Sequence, residues 1–203
     1  MHESQFEERL YNERLEKLKE IAALGRKGGI ASDLEATYPN SYAATTTIPE
    51  LRAKFDSVTP EQFEAELAQG TRHEVSIAGR VMAIRLQGKV GFAQLQQGDV
   101  RFEGKTVAGE APATRAQIQI FVRKDDVGED AFALYKLLDL GDHIGIRGTM
   151  MRTKTGELTV RVGAISSAPG KAPITFLAKA MLALPDKFHG LEDQELRYRQ
   201  RNS

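Results

Sequence analysis

The 203-residue sequence contains no cysteine, which excludes disulfide scaffolds, thiolate metal sites and cysteine nucleophiles. It also lacks an excess of charge of either sign, because 28 lysine and arginine residues balance 28 aspartate and glutamate residues. Sequence-independent coating of nucleic acid depends on surplus positive charge, so that mode of binding is disfavoured. A small and specific contact surface is compatible with this balance.

Long apolar runs are missing as well. The first ten residues are too charged for a secretory signal, and no apolar stretch approaches the length of a membrane span. The four histidines are scattered without metal-ligand spacing, and no nucleophile–base pair stands out. We therefore predict a cytoplasmic protein with no metal site and no catalytic residues in this chain.

The first 70 residues are predicted to be a helical extension. Residues 3–24 repeat apolar side chains at helical spacing, and glycines from Gly25 onward predict the end of that helix. The helix either docks on its own domain or a partner subunit, or forms an arm that grips nucleic acid. Residues 31–58 read as irregular chain. Thr59-Pro60-Glu61-Gln62 then predicts a capped helix start, with an N-cap hydroxyl, an early proline and a glutamine at the third position.

From residue 73 the apolar period changes from helical to two, which indicates strands. The predicted strands cover residues 73–85, 90–96, 116–122, 143–151 and 157–165, with a helix over 130–138 between the third and the fourth. Val75, Ile77, Val81 and Ala83 are expected on one face of the first strand, with a bulge or bend at Gly79. Residues 97–115, polar and rich in glycine, are predicted to form a mobile loop.

This element order is that of an OB-fold, a five-stranded barrel that commonly binds oligonucleotides. The fold class that we predict is mainly β with helices, a five-stranded OB-fold barrel preceded by N-terminal helices; the local pattern supports the five strands, and closure of the barrel is implied mainly by the family resemblance given below. We assign residues 1–70 to the helical extension, 71–168 to the OB-fold domain and 169–203 to a linker.

The alternation also indicates which side chains lie outside the barrel. If Ile118 and Ile120 point inward, Gln119 points outward, and the same reasoning places Phe92 and Arg80 on the outer face. An aromatic ring, an amide and a guanidinium on neighbouring strands could stack on an unpaired base and hydrogen-bond to it. Equally, Phe92 could be a core aromatic, and Arg80 and Gln119 ordinary surface residues.

Several segments resemble the N-terminal region of class II lysyl-tRNA synthetases. They are AGR, GKxxF, DLGD, TKTGEL and, at residues 184–201, LPDKFHGLEDQELRYRQR. The resemblance implies that Arg80, Phe92 and Gln119 read the anticodon, and that Glu157 lies near its first base. The alternative for Glu157 is pairing across strands with a residue such as Arg161.

The resemblance further implies a lysine tRNA as the partner, bound through its anticodon loop, and a possible homodimer. It implies no cofactor in this chain, with ATP and magnesium acting in the full-length family. The catalytic motifs of that family are absent here, so we expect the chain alone to lack ligase activity. The alternatives are a free-standing OB-fold module that acts in trans and a structural role.

The chain departs from the family at two places. Residues 97–115 are longer than the usual turn, and residues 179–183 lack an Arg-Pro pair, which predicts a looser linker.

Overall fold

The structure, a computed structural model, describes residues 2–27, 37–39, 41–97 and 116–182. The loop was predicted over residues 97–115; Gln97 is instead the last residue of a strand, and residues 98–115 lie outside the described residues, as does the motif at 184–201. The helices are α1 (His2–Lys27), α2 (Ile48–Phe55), α3 (Pro60–Ala68), α4 (Lys124–Val127) and α5 (Glu129–Lys136). The strands are β1 (Glu74–Gln87), β2 (Val90–Gln97), β3 (Ala116–Arg123), β4 (His143–Arg152), β5 (Leu158–Val162) and β6 (Ile174–Ala178).

Five of the strands close into a barrel, which confirms the OB-fold prediction. Their order is β1-β2-β3-β5-β4, and β1 pairs with β4 to complete the closure. Only the pairing of β3 with β5 is parallel among the described strands. Parallel pairing needs a crossover connection, and α4 and α5 lie within it. Strand β6 pairs with β4 in a segment that the sequence interpretation assigned to a linker.

The barrel interior follows the predicted alternation of apolar side chains. The side chains that fill it are at most 5% exposed: Val75, Ile77, Val81, Leu95, Ile118, Ile120, Val122, Ile144, Ile146, Leu158, Val160 and Val162. Helix α2 packs against β1, β2 and β3 with Ile48, Leu51 and Phe55 buried. Burial of these apolar side chains is the main favourable contribution to folding.

The bulge in β1 lies at a different residue from the one predicted. The register with β2 shifts between Val81 and Ala83, so the extra residue is Met82 rather than Gly79. An extra residue reverses the alternation, and Ala83 is therefore exposed instead of buried. Gly79 has a packing role: an added Cβ would lie 3.1 Å from the Gln96 carbonyl oxygen and 3.2 Å from Ile48 Cδ1.

The helix starts show one correct prediction and one error. Helix α3 begins at the predicted capping box, where Thr59 and Gln62 satisfy each other's backbone N–H groups. Helix α2 was missed within the segment interpreted as irregular, although Thr47 and Glu50 form the same box with Pro49 between them. The prediction for α1 was also too short, because the helix continues past Gly25 to Lys27.

Partly buried charges hold the second half of α1 to the barrel. Lys17 Nζ lies 2.5 Å from an Asp139 carboxylate oxygen, and Lys179 Nζ lies 2.6 Å from the other. Burial alone would raise the pKa of Asp139, but hydrogen bonds from Lys17 and Lys179 outweigh it and hold the pKa below its usual value. Ile21 and Ala22 of the same helix are also buried. Helix α1 thus docks on its own domain, one of the two alternatives for it.

A carboxylate at the start of β1 predicts a pH-dependent stability. Glu74 accepts hydrogen bonds from Ser166 N and Ser167 N at 2.7 and 2.8 Å, and these donors lower its pKa from 4.5 to about 2. A group whose pKa is lowered on folding stabilises the protein above its unfolded pKa, and this contribution is lost as the pH falls through the folded value. We expect Glu74→Gln to reduce stability at pH 7, with a difference from wild type that shrinks between pH 4.5 and 2.

Urea unfolding at a series of pH values would measure this difference. Glu64→Gln, at an exposed position on α3, is the control and should show little difference at any pH. A constant deficit for Glu74→Gln across the whole pH range would contradict the assignment.

Candidate nucleic-acid interface

The outer face of the barrel carries three cross-strand rows, set by the register of the strands. They are the arginine row (Arg80, Gln96, Gln117), the amide row (Ala83, Gln94, Gln119, Thr159) and the aromatic row (Arg85, Phe92, Phe121, Arg161). The bulge at Met82 puts Arg80 and Arg85 on the same face although they are five residues apart. A regular strand would have placed them on opposite faces.

In the aromatic row, two phenylalanine rings lie side by side between two arginines. The ring centroids of Phe92 and Phe121 are 5.1 Å apart at an interplanar angle of 51°. The Arg85 guanidinium carbon is 5.9 Å from the Phe92 centroid. Both phenylalanines are half-buried, so part of each ring is accessible for stacking. Phe92 is therefore not a core residue of the barrel.

The backbone under Phe92 is fixed by a buried tyrosine. Tyr135 is fully buried, and its hydroxyl donates towards the carbonyl oxygens of Phe92 at 2.9 Å and Arg85 at 3.1 Å. Burial raises the pKa of this hydroxyl, so it remains a donor across the usual pH range. A Cβ on Gly91 would lie 2.3 Å from Tyr135 Cε1. The glycine before Phe92 therefore leaves room for the tyrosine ring.

The amide row presents side-chain donors and acceptors beside these rings. Gln119 Nε2 donates to Thr159 Oγ1 at 3.1 Å, and Gln94 lies opposite Gln119 on the other side. In the neighbouring row, Gln117 Nε2 donates to Gln96 Oε1 at 2.8 Å. Amides of this kind can form hydrogen bonds with the edge of an unstacked base.

Arg80 lies exposed at the end of the arginine row. Its register partners are Gln96 and His143, and within the described part of the chain no carboxylate forms an ion pair with it. Burial lowers the pKa of His143, and the nearby positive charge of Arg80 lowers it further, while Asp142 opposes both effects. The guanidinium of Arg80 is therefore available to a phosphate or a base.

Glu157 lies at the edge of this face, just before β5. Its carboxylate is 3.7 Å from the Arg52 guanidinium. Arg161 binds Asp126 instead, with nitrogen–oxygen distances of 2.9 and 3.0 Å, and this hydrogen bonding lowers the pKa of Asp126. Pairing of Glu157 with Arg161, the alternative considered from sequence, is therefore wrong.

The structure brings Arg80, Phe92 and Gln119 together on one face and leaves Glu157 beside it; their roles in binding stay a prediction. Thr159 and Tyr135 were not identified from sequence, since both act through contacts between distant segments.

No group of three or more metal-binding side chains occurs among the described residues. The helices of the described part are also too short or too polar to cross a membrane.

Comparison with known proteins agrees with this geometry. Residues 113–167 match the tRNA anticodon family, an OB-fold nucleic acid binding domain. The chain is 44% identical over 152 residues to lysine–tRNA ligase of Listeria welshimeri, covering 71% of this chain and 26% of that protein. The enzymes of the same name from Staphylococcus epidermidis and Laribacter hongkongensis are each 37% identical, over 93% and 98% of this chain and 30% and 32% of their own lengths.

This chain thus spans about a third or less of the relatives that it matches. The matches to the Staphylococcus epidermidis and Laribacter hongkongensis enzymes cover nearly the whole chain and so include the barrel, whereas the family match covers β3 to β5. By fold and by sequence, the chain therefore contains an OB-fold nucleic acid binding domain that matches the tRNA anticodon family over residues 113–167, and it is homologous to the N-terminal region of lysine–tRNA ligases.

Proposed function

We propose that this chain binds the anticodon loop of a lysine tRNA on the outer face of β1, β2 and β3. The observation that carries the proposal is that Arg80, Phe92 and Gln119 share this face in adjacent rows. Sequence-specific recognition of RNA targets unpaired bases, which stack on aromatic side chains and hydrogen-bond to polar ones along their edges. The three rows supply an aromatic surface, amides and a positive charge within one patch.

Each residue has a distinct role in this proposal. Phe92 stacks on the middle base of the anticodon, a uridine, and Gln119 hydrogen-bonds to the edge of that base. Arg80 anchors either a base or the backbone, and Glu157 lies near the first anticodon base. A net charge of zero over the chain is compatible with this arrangement, because recognition depends on a local patch.

Binding of this kind would serve the attachment of lysine to its tRNA, with ATP and magnesium acting outside the barrel. Protein synthesis in the cytoplasm is the setting that this role implies. A homodimer is a possible assembly, and sedimentation of the purified chain would test it. Phe6 and Tyr11 on the first half of α1 are 62% and 44% exposed, which leaves apolar surface for such a contact.

The stacking role predicts the effect of removing one ring. Phe92→Ala should weaken binding of a lysine-type anticodon stem-loop by about 1–3 kcal/mol, the usual contribution of one base–aromatic stack. The loss should depend little on which base occupies the middle position, because every base has a π face. Fluorescence anisotropy with stem-loops varied only at that position would measure it.

Leu67→Ala is the control, since it removes an exposed apolar side chain from α3 rather than from the barrel. It should leave affinity unchanged. Equal wild-type affinity for all four middle bases, or a Phe92→Ala variant that binds like the wild type, would contradict the proposed function.

A further inference from the structure

The side-chain amide of Gln119 carries a donor at one atom and an acceptor at the other, so its orientation decides which base edge it can read. That orientation is set by Thr159, which lies opposite Gln119 in the parallel pairing of β3 with β5. Thr159 is fully buried. Its hydroxyl is therefore shielded from water. In the protein interior a hydrogen bond is stronger than in water, and an unpaired polar group is costly.

The Thr159 hydroxyl has one proton, and that proton already forms a hydrogen bond. Oγ1 donates to the Glu157 carbonyl oxygen at 3.1 Å. That carbonyl is held in place by the turn before β5, because Thr153 N also donates to it at 3.0 Å. The hydroxyl can therefore only accept a hydrogen bond from Gln119.

An accepting hydroxyl forces the amide into one orientation. Gln119 must turn its NH₂ group towards Thr159, as the 3.1 Å distance between Nε2 and Oγ1 shows. The Oε1 atom then points away from Thr159, and among the described residues no donor contacts it. The outer face thus presents a carbonyl acceptor in the middle of the amide row, between the two phenylalanines and Arg80.

We propose that Thr159 is a positioning residue for base selectivity, holding the Gln119 carbonyl oxygen towards the bound base. This inference rests on the proposed function, in which Gln119 faces the middle base. An acceptor placed opposite the N3 atom of a pyrimidine favours a base that carries a proton on that nitrogen. Uridine offers its N3–H there, whereas cytidine has an unprotonated N3 that would repel the oxygen. Thr159 therefore determines the preference for uridine over cytidine without touching either.

The test compares two anticodon stem-loops that differ only by uridine or cytidine at the middle position. Thr159→Val removes the hydroxyl at a similar volume and frees the amide to rotate. We expect discrimination to fall by about five-fold, roughly the contribution of one neutral hydrogen bond. Thr159→Ser keeps the hydroxyl and should retain wild-type discrimination. In a Gln119→Ala background, Thr159→Val should have no further effect on the ratio.

A purely structural role for Thr159 would instead lower both affinities equally, and such a result would overturn the proposal. Wild-type discrimination in Thr159→Val with loss in Gln119→Ala would also overturn it, while leaving the proposed function intact. If the wild type does not distinguish the two stem-loops and Gln119→Ala changes nothing, the proposed reading of the base by Gln119 fails as well. Circular dichroism checks folding, and Thr159→Ala replaces the valine variant if that variant does not fold.

Discussion

Replacing Lys179 by methionine is expected to lower the free energy of unfolding by about 3–5 kcal/mol, because it leaves a buried charge without its partner. The Lys179 side chain is fully buried, and Nζ lies 2.8 Å from Asp142 and 2.6 Å from Asp139. Asp142 is also fully buried. Its remaining partners are the backbone N–H groups of Asp139 and Ala180, which cannot neutralise a carboxylate.

Urea unfolding of the two proteins at pH 7 would give this difference. Lys171→Met is the matched control, since Lys171 is an exposed lysine in the same part of the chain. Its cost should be within about 0.5 kcal/mol, as for most surface substitutions. A loss below about 1 kcal/mol for Lys179→Met would mean that the two aspartates find other partners when the lysine is removed.

The same cluster holds residues 179–182, the described part of the segment for which a looser linker was predicted. Lys179 is bonded to two aspartates, Ala180 N donates to Asp142, and Arg14 of α1 donates to the carbonyl oxygens of Ala180 and Leu182. Helix α1 and the segment after β6 are therefore joined through the same few charges. Lys179 is therefore a buried anchor of this segment.

Gly148→Ala is the second substitution for which we expect a large effect, a destabilisation of about 3 kcal/mol or more, at or above the upper end of typical overpacking costs. A Cβ at this position would lie 2.1 Å from the Arg161 carbonyl oxygen and 2.8 Å from its carbonyl carbon. These are backbone atoms of β5, and Gly148 is paired with Val162 in that strand. Relief of the clash would require β4 and β5 to separate, which opens the barrel.

Gly163→Ala provides a control immediately after β5, since the nearest atom to an added Cβ there is the Asp126 carbonyl oxygen at 3.6 Å. That distance is ordinary contact, so the change in stability should be within about 0.5 kcal/mol. Thermal and urea unfolding would compare both variants with the wild type. Equal stability of Gly148→Ala and Gly163→Ala would show that the β4–β5 edge is more adaptable than its geometry indicates.

Local patterns were sufficient for most of the fold. The alternation of Ile118, Ile120 and Val122 placed Gln119 outside the barrel, and the capping box at Thr59 placed the start of α3. Helix α2 was not predicted, although Thr47 and Glu50 have the same spacing as the capping-box residues Thr59 and Gln62. The sequence therefore contains the signal for the start of this helix.

The sequence by itself determined the order of the five barrel strands with the helix between the third and the fourth, most of the barrel core and the outward placement of Arg80, Phe92 and Gln119. These properties depend on the period of apolar residues, which each strand carries locally. Only the tertiary structure decided the bulge at Met82, the pairing of Gln119 with Thr159 and the burial of Lys179 between two aspartates. The physical reason is that each of these depends on atoms from segments far apart in the chain, whose register and contacts are fixed only when the barrel closes.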